Sequence, residues 1–158
     1  MLLRAAQPND VEAMHQLICE LAHFELEPEA VVIQPADLLR DGFGEAPLFR
    51  CLVAEMDGSI RAMALFYPRY STWKGKTWHL EDLIVTEAYR GKGLGKALFA
   101  AFVAEANADG VRRVEWGVLN WNTSAIDFYQ KAGAVVFDDW RVAQMDERAL
   151  ADFPPNEF

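Results

Sequence analysis

Residues 90–95 read Arg-Gly-Lys-Gly-Leu-Gly and lie between an apolar stretch and an amphipathic one. The preceding residues 79–85, His-Leu-Glu-Asp-Leu-Ile-Val, have the apolar, β-branched character of a buried strand. After the glycines, large apolar residues recur at helical spacing, at Leu94, Leu98, Phe99, Phe102 and Val103. The three glycines let the backbone turn sharply and approach a ligand closely. Because the free amide groups of the next helix point toward this loop, the pattern predicts a pyrophosphate-binding site.

Two common phosphate-binding motifs do not fit these residues. The dinucleotide motif G-x-G-x-x-G, counted from Gly91, places Lys96 where its third glycine belongs. The P-loop motif G-x-x-x-x-G-K-[ST] would need a glycine at Arg90 and a hydroxyl residue at Ala97. The pattern that remains in residues 90–95 is R-x-x-G-x-G. An ordinary glycine-rich turn between a strand and a helix is the structural alternative.

A second block covers residues 122–133, Asn-Thr-Ser-Ala-Ile-Asp-Phe-Tyr-Gln-Lys-Ala-Gly. Asn122 is suited to the N-cap of a helix and Gly133 to its C-terminal end, so the block predicts a short helix. Phe128 is expected to pack in the core. The phenol of Tyr129 needs a hydrogen-bond partner wherever it is buried.

The two blocks resemble the signatures of the GNAT superfamily of acetyl-CoA-dependent N-acetyltransferases. The second signature, N-x-x-[SA]-x-x-F-Y-x-K-x-G, is matched at Asn122, Ala125, Phe128, Tyr129, Lys131 and Gly133. Within the superfamily the chain is most similar to the diamine (spermidine/spermine-type) N-acetyltransferases. Several short runs carry this narrower resemblance, among them residues 37–39, 41–45, 51–55 and 80–82.

The order of predicted elements agrees with this resemblance over nearly the whole chain. We expect strands at 2–6, 49–55, 60–67, 78–85 and 113–119, a terminal antiparallel pair at 135–137 and 141–145, and helices opened by residues 8–10, at 37–40, after the glycine loop and at 122–132. Asp57-Gly58 is the expected hairpin turn. The fold class implied is α/β (α+β): a GNAT fold with a mixed, mostly antiparallel central sheet flanked by helices on both faces, in a single domain over residues 1–158.

Composition limits the classes of partner. The chain has 158 residues, 52% of them hydrophobic, and a formal net charge of −9. This charge disfavours nucleic-acid partners, and no apolar run approaches the ~20 residues of a membrane span. An acidic surface suits a cationic small substrate, although it also simply confers solubility. Cys19 and Cys51 are isolated and have no metal-ligand spacing, so we expect a reducing, cytoplasmic location and no metal.

The resemblance implies acetyl-CoA as co-substrate and suggests which residues bind it. The backbone of the central strand is expected to pair with the pantetheine arm, and the glycine loop to surround the pyrophosphate. Two residues of the second block are expected to line the same cleft. The predicted set is Leu83, Ile84, Val85, Arg90, Gly91, Lys92, Gly93, Leu94, Gly95, Lys96, Asn122 and Lys131. For Lys92 and Lys96 the alternative is a solvated surface charge, and for Asn122 a helix cap.

An acid and a base are needed for the predicted chemistry. An alkylamine has a pKa of about 10.4 and arrives protonated, so a base must remove a proton before attack on the thioester. Glu81 is the predicted base, and we expect burial to raise its pKa. Tyr129, matching the family's tyrosine, is the predicted acid for the leaving thiolate. A structural carboxylate and a packing tyrosine are the respective alternatives.

The residues that bind the amine substrate are predicted from composition and not from a motif. An acidic and aromatic set, Phe24, Glu25, Trp73 and Asp82, suits a cationic aliphatic chain. Two departures from the polyamine-type pattern are Ser71, where that subgroup often has an aspartate, and Phe24, which replaces a tyrosine. The substrate is therefore a polyamine or diamine, or a shorter thialysine-like or lysine-like amine.

Two other functions remain open from the sequence. One is a module that senses acetyl-CoA without turnover, and the other is acetylation of protein N-termini or lysines. The subgroup resemblance also implies a homodimer.

Overall fold

The computed structural model describes residues 1–154. The chain divides into two compact units, Met1–Gly117 and Val118–Phe158, which are described separately. None of the helices in the described residues is long and apolar enough to cross a membrane.

The first unit is built on a five-stranded sheet in the order β1-β2-β3-β4-β5. All neighbouring strands are antiparallel except β4 and β5, which are parallel, so the predicted mixed and mostly antiparallel sheet is confirmed. The strands are β1 Leu2–Ala5, β2 Arg50–Met56, β3 Ser59–Ser71, β4 Gly75–Val85 and β5 Val114–Glu115. The helices are α1 Val11–Phe24, α2 Pro35–Phe43 and α3 Leu94–Ala108, with single 3-10 turns at Pro8–Asp10, Pro28–Ala30 and Glu87–Tyr89.

The hairpin between β2 and β3 turns at the predicted dipeptide. Asp57 and Gly58 both have positive φ, 55° and 71°. This is the conformation that a two-residue hairpin loop needs to match the twist of its strands, and Asp-Gly adopts it readily.

Helices cover both faces of the sheet, because successive residues of β3 point to opposite sides. Leu65 packs with Met14 and Leu17 of α1 and with Leu38 of α2. The next residue, Phe66, instead contacts the α3 side, where the core is aromatic. Its ring lies 4.9 Å from that of Trp78 and 5.0 Å from that of Phe102, measured between centroids.

A β-bulge interrupts β4 in its middle. Leu65 pairs with Asp82 and Phe66 pairs with Leu80, so Glu81 is the extra residue of β4. A bulge of this kind redirects side chains and is common beside active sites. Its consequence here is that Glu81 and Asp82 both line the cavity described below.

The second unit contains the predicted helix of the second sequence block. Helix α4 spans Thr123–Lys131, and the Asn122 side chain caps it by accepting a hydrogen bond from the Ala125 amide at 3.2 Å. After α4 the chain turns at Gly133, whose φ is 93°. The Ala134 amide then donates to the Tyr129 carbonyl at 3.0 Å, which closes the helix end. A short helix α5, Glu147–Ala151, was not predicted.

Several predicted elements differ from the structure. Strand β3 continues to Ser71 rather than to residue 67, and β4 begins at Gly75 rather than at residue 78. Residues 135–137 and 141–145 form no strands, and Val135, Phe137 and Val142 are 72%, 67% and 90% exposed. A lone two-stranded ribbon buries too little apolar surface to be stable by itself. Strand β5 has two residues rather than seven, since Gly117 lies within the predicted span and glycine favours strands poorly. Helix α2 is longer than predicted because Gln34, Pro35 and Asp37 give it a strong start.

Candidate active site

An acidic cavity of about 450 Å³ lies in the first unit between α1, α2 and strands β3 and β4. Apolar side chains form much of its wall, including Ile18, Leu21, Val31, Leu38, Phe49 and Leu65. Five carboxylates line the same space, namely Glu25, Asp37, Asp41, Glu81 and Asp82. The lining contains no Lys, Arg or His from the part of the unit that the structure describes. A cavity of this size and character suits a small cation with an aliphatic body.

We call Glu25, Glu81 and Asp82 the inner carboxylates. Burial, together with the neighbouring charges of Glu81 and Glu25, raises the pKa of Asp82 to about 7. Burial also raises the pKa of Glu25, although much of that side chain is exposed. Like charges facing one cavity without a basic partner disfavour ionisation, so the cluster is ready to receive an external cation.

Glu81 is more open to solvent than we predicted. Its side chain is 53% exposed, so the expectation of a buried base is wrong; the bulge carries Glu81 outward and leaves Asp82 as the buried carboxylate. The Glu81 Oε2 atom lies 3.7 Å from His79 Nε2. The Tyr67 ring stacks on His79 with centroids 5.2 Å apart. Burial raises the pKa of the Tyr67 phenol, with further contributions from the charge of Glu81 and hydrogen bonding to it.

We call Asp37 and Asp41 the outer carboxylates, and both are held by Arg40. The Arg40 Nη1 atom donates to Asp37 Oδ1 at 2.7 Å. Its Nε and Nη2 atoms donate to the two oxygens of Asp41 at 2.7 and 2.9 Å, a two-point contact. Asp37 also accepts from the Gln34 amide at 2.9 Å, and this contact together with Arg40 lowers the pKa of Asp37.

The glycine loop has the geometry of an anion-binding turn. Gly91 and Gly93 have φ values of 75° and 88°, and Gly93 is the N-cap of α3. No atom lies within 4 Å of the place where a Cβ would stand at either glycine, so the space beside the loop is open. The first amides of α3 face this space with the positive end of the helix dipole, which fits a diphosphate.

The basic residues of the loop are partly engaged within the first unit. Arg90 donates through Nε to the Val85 carbonyl at 3.1 Å, and its guanidinium lies 4.9 Å from the centre of the Phe24 ring. Lys92 Nζ lies 4.3 Å from the centre of the Tyr89 ring. Arg90 therefore braces the loop against β4, and the Val85 carbonyl is already in use.

Two further loop positions have a packing role. The Leu94 side chain is fully buried, so only its backbone can reach a ligand. A Cβ at Gly95 would lie 3.4 Å from Val85 Cγ2, in van der Waals contact, so α3 starts close to the end of β4. Lys96 is exposed in the first turn of α3.

The second half of β4 is open on one side. Pairing with β5 is limited to Trp78 and His79, whereas pairing with β3 continues to Val85. In the described part of the chain, no strand pairs with residues 80–85 on the β5 side. This leaves a sheet edge that includes Leu83 and Ile84 and can hydrogen-bond an extended ligand.

The second unit carries the remaining predicted residues. Burial raises the pKa of the Tyr129 phenol to about 12, so the hydroxyl stays protonated at neutral pH. Lys131 is exposed and pairs with Asp127 one helical turn earlier, with Nζ and Oδ2 2.5 Å apart. Asn122 acts as the cap of α4. A contact of Asn122 or Lys131 with the cofactor stays a prediction.

Two of the predicted substrate residues, Glu25 and Asp82, line the acidic cavity. Phe24 instead contacts Arg90. Trp73 is 82% exposed in the turn between β3 and β4, where Ser71 Oγ accepts hydrogen bonds from the Trp73 and Lys74 amides.

Sequence reasoning assigned no role to Tyr67, His79, Asp37, Asp41 and Arg40. The two aspartates lie four residues apart on one helix face, a visible signal that we used only for the family resemblance. The contacts of Tyr67 with His79 and Glu81 depend on the register of β3 and β4, which the sequence alone does not specify, whereas His79 and Glu81 lie two residues apart on β4.

Comparison with known proteins shows the family of the chain and agrees with its fold. Residues 11–134 match the model of the acetyltransferase (GNAT) family. The thialysine N-epsilon-acetyltransferase of Bos taurus is 36% identical over 142 residues, covering 85% of this chain and 84% of that protein. The human spermidine/spermine N(1)-acetyltransferase-like protein 1 is 33% identical over 160 residues, covering 95% of this chain and 23% of that protein. An aminoglycoside N-acetyltransferase solved in complex with CoA superposes with a TM-score of 0.70 at 19% identity, covering 92% of this chain and 99% of that one.

Proposed function

This chain belongs to the acetyltransferase (GNAT) family and is an N-acetyltransferase, and we propose that its acceptor is the primary amine of a small diamine. The acetyl donor in this proposal is acetyl-CoA. The relatives acetylate, by their names, thialysine and spermidine or spermine, which are all cationic amines.

The observation that carries this proposal is the set of inner carboxylates. Glu25, Glu81 and Asp82 face a cavity whose lining includes no basic side chain from the described residues. The second ammonium group of a diamine would pair with these carboxylates and hold the reacting amine near Glu81. An α-amino acid such as ornithine or thialysine also carries a carboxylate, which this acidic cavity would repel. The charges therefore favour a diamine over an amino acid.

The residues that would hold acetyl-CoA fit its chemistry. Gly91, Gly93 and the first amides of α3 suit the diphosphate, and Lys92 and Lys96 add positive charge nearby. The unpaired edge of β4 at Leu83 and Ile84 suits the amides of the pantetheine arm. Bound acetyl-CoA supplies the thioester carbon that the amine attacks.

In the proposed mechanism Glu81 takes a proton from the substrate ammonium, directly or through a water molecule. The neutral amine then attacks the thioester carbon, so that the C–N bond forms and the C–S bond breaks. Tyr129 donates its phenolic proton to the departing thiolate, the attacking nitrogen gives its second proton to solvent water as the amide forms, and the Tyr129 phenolate takes a proton back from solvent. Its high pKa keeps that proton available, while Glu81 remains accessible to solvent water for return of the proton it removed.

A thiol-release assay with acetyl-CoA and a panel of amines tests the proposal. The panel contains putrescine, spermidine, lysine, ornithine, thialysine, an aminoglycoside and a peptide with a free N-terminus. We expect the highest kcat/KM with a diamine. Binding of CoA without turnover of any amine would support the sensing module instead, and turnover of the peptide alone would support a protein acetyltransferase.

We also propose the homodimer and the cytoplasmic location that the subgroup resemblance and the isolated cysteines suggest. Size-exclusion chromatography with light scattering tests the dimer, which requires a mass about twice the 17.8 kDa of the chain.

A further inference from the structure

Arg40 lies between two carboxylates of the cavity wall and bonds to both. It donates one hydrogen bond to Asp37 and two to Asp41, at distances of 2.7 to 2.9 Å. Asp37 and Asp41 are each about one-third exposed, whereas the Arg40 side chain is 67% exposed. The guanidinium therefore neutralises the outer carboxylates from the solvent side, and it is not itself part of the cavity lining.

The inner and outer carboxylates consequently differ in what they offer a substrate. Within the described residues, Glu25, Glu81 and Asp82 have no Lys or Arg partner, and the neighbours of Glu81 are His79 and the phenol of Tyr67. A cation entering the cavity meets the inner carboxylates directly. At the outer carboxylates it must displace a guanidinium that binds Asp41 in a two-point geometry, which an ammonium cannot reproduce.

We propose that Arg40 is a specificity-determining residue, an internal cation that occupies the outer carboxylates and restricts the cavity to diamines with one ammonium group beyond the reacting amine. This inference rests on the proposed function. A triamine would place its third charge near Asp37 and Asp41, where Arg40 has already used the acceptors and repels a like charge.

Charge rather than volume sets this limit. The cavity of about 450 Å³ lies within the range of small-molecule sites and has room for a chain longer than a diamine. Replacing Arg40 by glutamine changes the size of an exposed side chain little and leaves the contact from Gln34 to Asp37, which starts helix α2, in place. The substitution therefore frees the outer carboxylates without rebuilding the wall.

The test compares kcat/KM for spermidine with kcat/KM for putrescine in the acetyl-CoA assay. We expect the wild-type ratio to be below one and Arg40→Gln to raise it about fivefold, the contribution of one partly exposed ion pair. Arg40→Lys, which keeps a cation beside the aspartates, should leave the ratio near the wild-type value. In the double variant Arg40→Gln/Asp41→Asn most of the gain should disappear, because Asp41 is the carboxylate that Arg40 binds at two points and Asp37 still accepts from the Gln34 amide.

The matched control is Arg148→Gln, which removes one positive charge from an exposed ion pair with Asp152 in the second unit. It should leave both kcat/KM values unchanged. A ratio that Arg40→Gln does not raise, in an enzyme that prefers putrescine to spermidine, overturns the inference and leaves the proposed function intact. A wild-type preference for spermidine overturns the inference and, of the proposed function, the choice of a diamine. A wild-type protein that acetylates no amine overturns both.

Discussion

Tyr129 combines burial with a hydroxyl group that stays protonated. Because burial raises the pKa of its phenol to about 12, the side chain is a proton donor over the whole physiological range. We predict that Tyr129→Phe lowers kcat about 10²–10⁴-fold with little change in KM for acetyl-CoA, the range expected for one acid–base group. Steady-state kinetics measure this effect.

The control for Tyr129 is Tyr70→Phe, which removes the same hydroxyl from a side chain that is 78% exposed. Its kcat should match the wild type. A Tyr129→Phe enzyme with unchanged kcat would remove Tyr129 from the mechanism.

The carboxylate of Asp82 in the cavity wall destabilises the folded protein when it is ionised. Its pKa rises from the ordinary 3.8 to about 7, so the folded chain holds a proton that the unfolded chain releases between these values. The free energy of unfolding therefore falls as the pH rises from about 4 to about 7. Asp82→Asn should be more stable than the wild type by about 2 kcal/mol at pH 8, and the two proteins should be equally stable below about pH 4. The figure of about 2 kcal/mol is half of the largest change in unfolding free energy that a shift of about three pKa units can produce.

Urea unfolding at pH 4, 6 and 8 measures this difference. Asp139→Asn, at an exposed position, is the control and should show no such dependence on pH. A stability gain of Asp82→Asn that is the same at all three pH values would contradict the assignment. Since Asp82 is also a proposed ligand of the substrate, the variant should bind the diamine more weakly.

The motifs predicted individual residues well where their role depends on local sequence. Asn122 at the helix cap, Gly133 after the helix and the glycines of the loop lie as expected. Side-chain partners that depend on strand register were not predictable, which is why the contact of Tyr67 with His79 emerged only from the structure. The pairs of Arg40 with Asp37 and Asp41 are local to α2, so their spacing was visible, but the position of these aspartates in the cavity wall depends on packing against other elements.

At the scale of elements, the start of α3 depends on a left-handed residue. Gly93 has a φ of 88° and open space where a side chain would stand, so the cost of alanine there is conformational rather than steric. We predict that Gly93→Ala lowers the free energy of unfolding by about 1 kcal/mol and weakens CoA binding, because the first amides of α3 shift. Chemical denaturation and calorimetry with CoA measure the two effects.

The matched control is Gly117→Ala, at a glycine that also has open space around it but no positive φ. It should be neutral or slightly stabilising in the denaturation experiment. Equal destabilisation by both alanine variants would show that loss of glycine as such, and not the left-handed conformation, is responsible.

Helices and strands that a turn or capping residue marks in the sequence were predictable. Strands that form only when a distant part of the chain pairs with them were not. The Asp57-Gly58 turn and the apolar alternation around it predict the β2–β3 hairpin. Residues 135–145 have similar apolar content, but Val135 and Val142 remain exposed and form no ladder. Strand formation there would require a partner surface, which local propensity does not report.

For the whole molecule, the net charge of −9 and the acidic cavity act together on a cationic substrate. We predict that kcat/KM for putrescine falls about tenfold between low salt and 0.5 M NaCl, since salt screens both the long-range attraction and the exposed pairs at the cavity mouth. Stopped-assay kinetics over a salt series measure the slope. A monoamine of similar length should give a shallower slope, and equal slopes would contradict the role of the cavity charges.

Glu81 is an extra residue in β4, and beyond it the even-numbered and odd-numbered side chains of the strand exchange faces of the sheet. Before it, the even-numbered Trp78 belongs to the aromatic layer under α3; after it, the even-numbered Ile84 belongs to the aliphatic layer under α1. Deleting Glu81 would restore a regular ladder in which Asp82 still pairs with Leu65 and Ile84 with Met63, so both layers would keep their side chains and the cavity would lose one carboxylate. Deleting Leu83 instead would pair Asp82 with Ala64 and turn its carboxylate toward the layer under α3. The position of a deletion in this short span, and not the deletion alone, therefore decides which acid the cavity keeps.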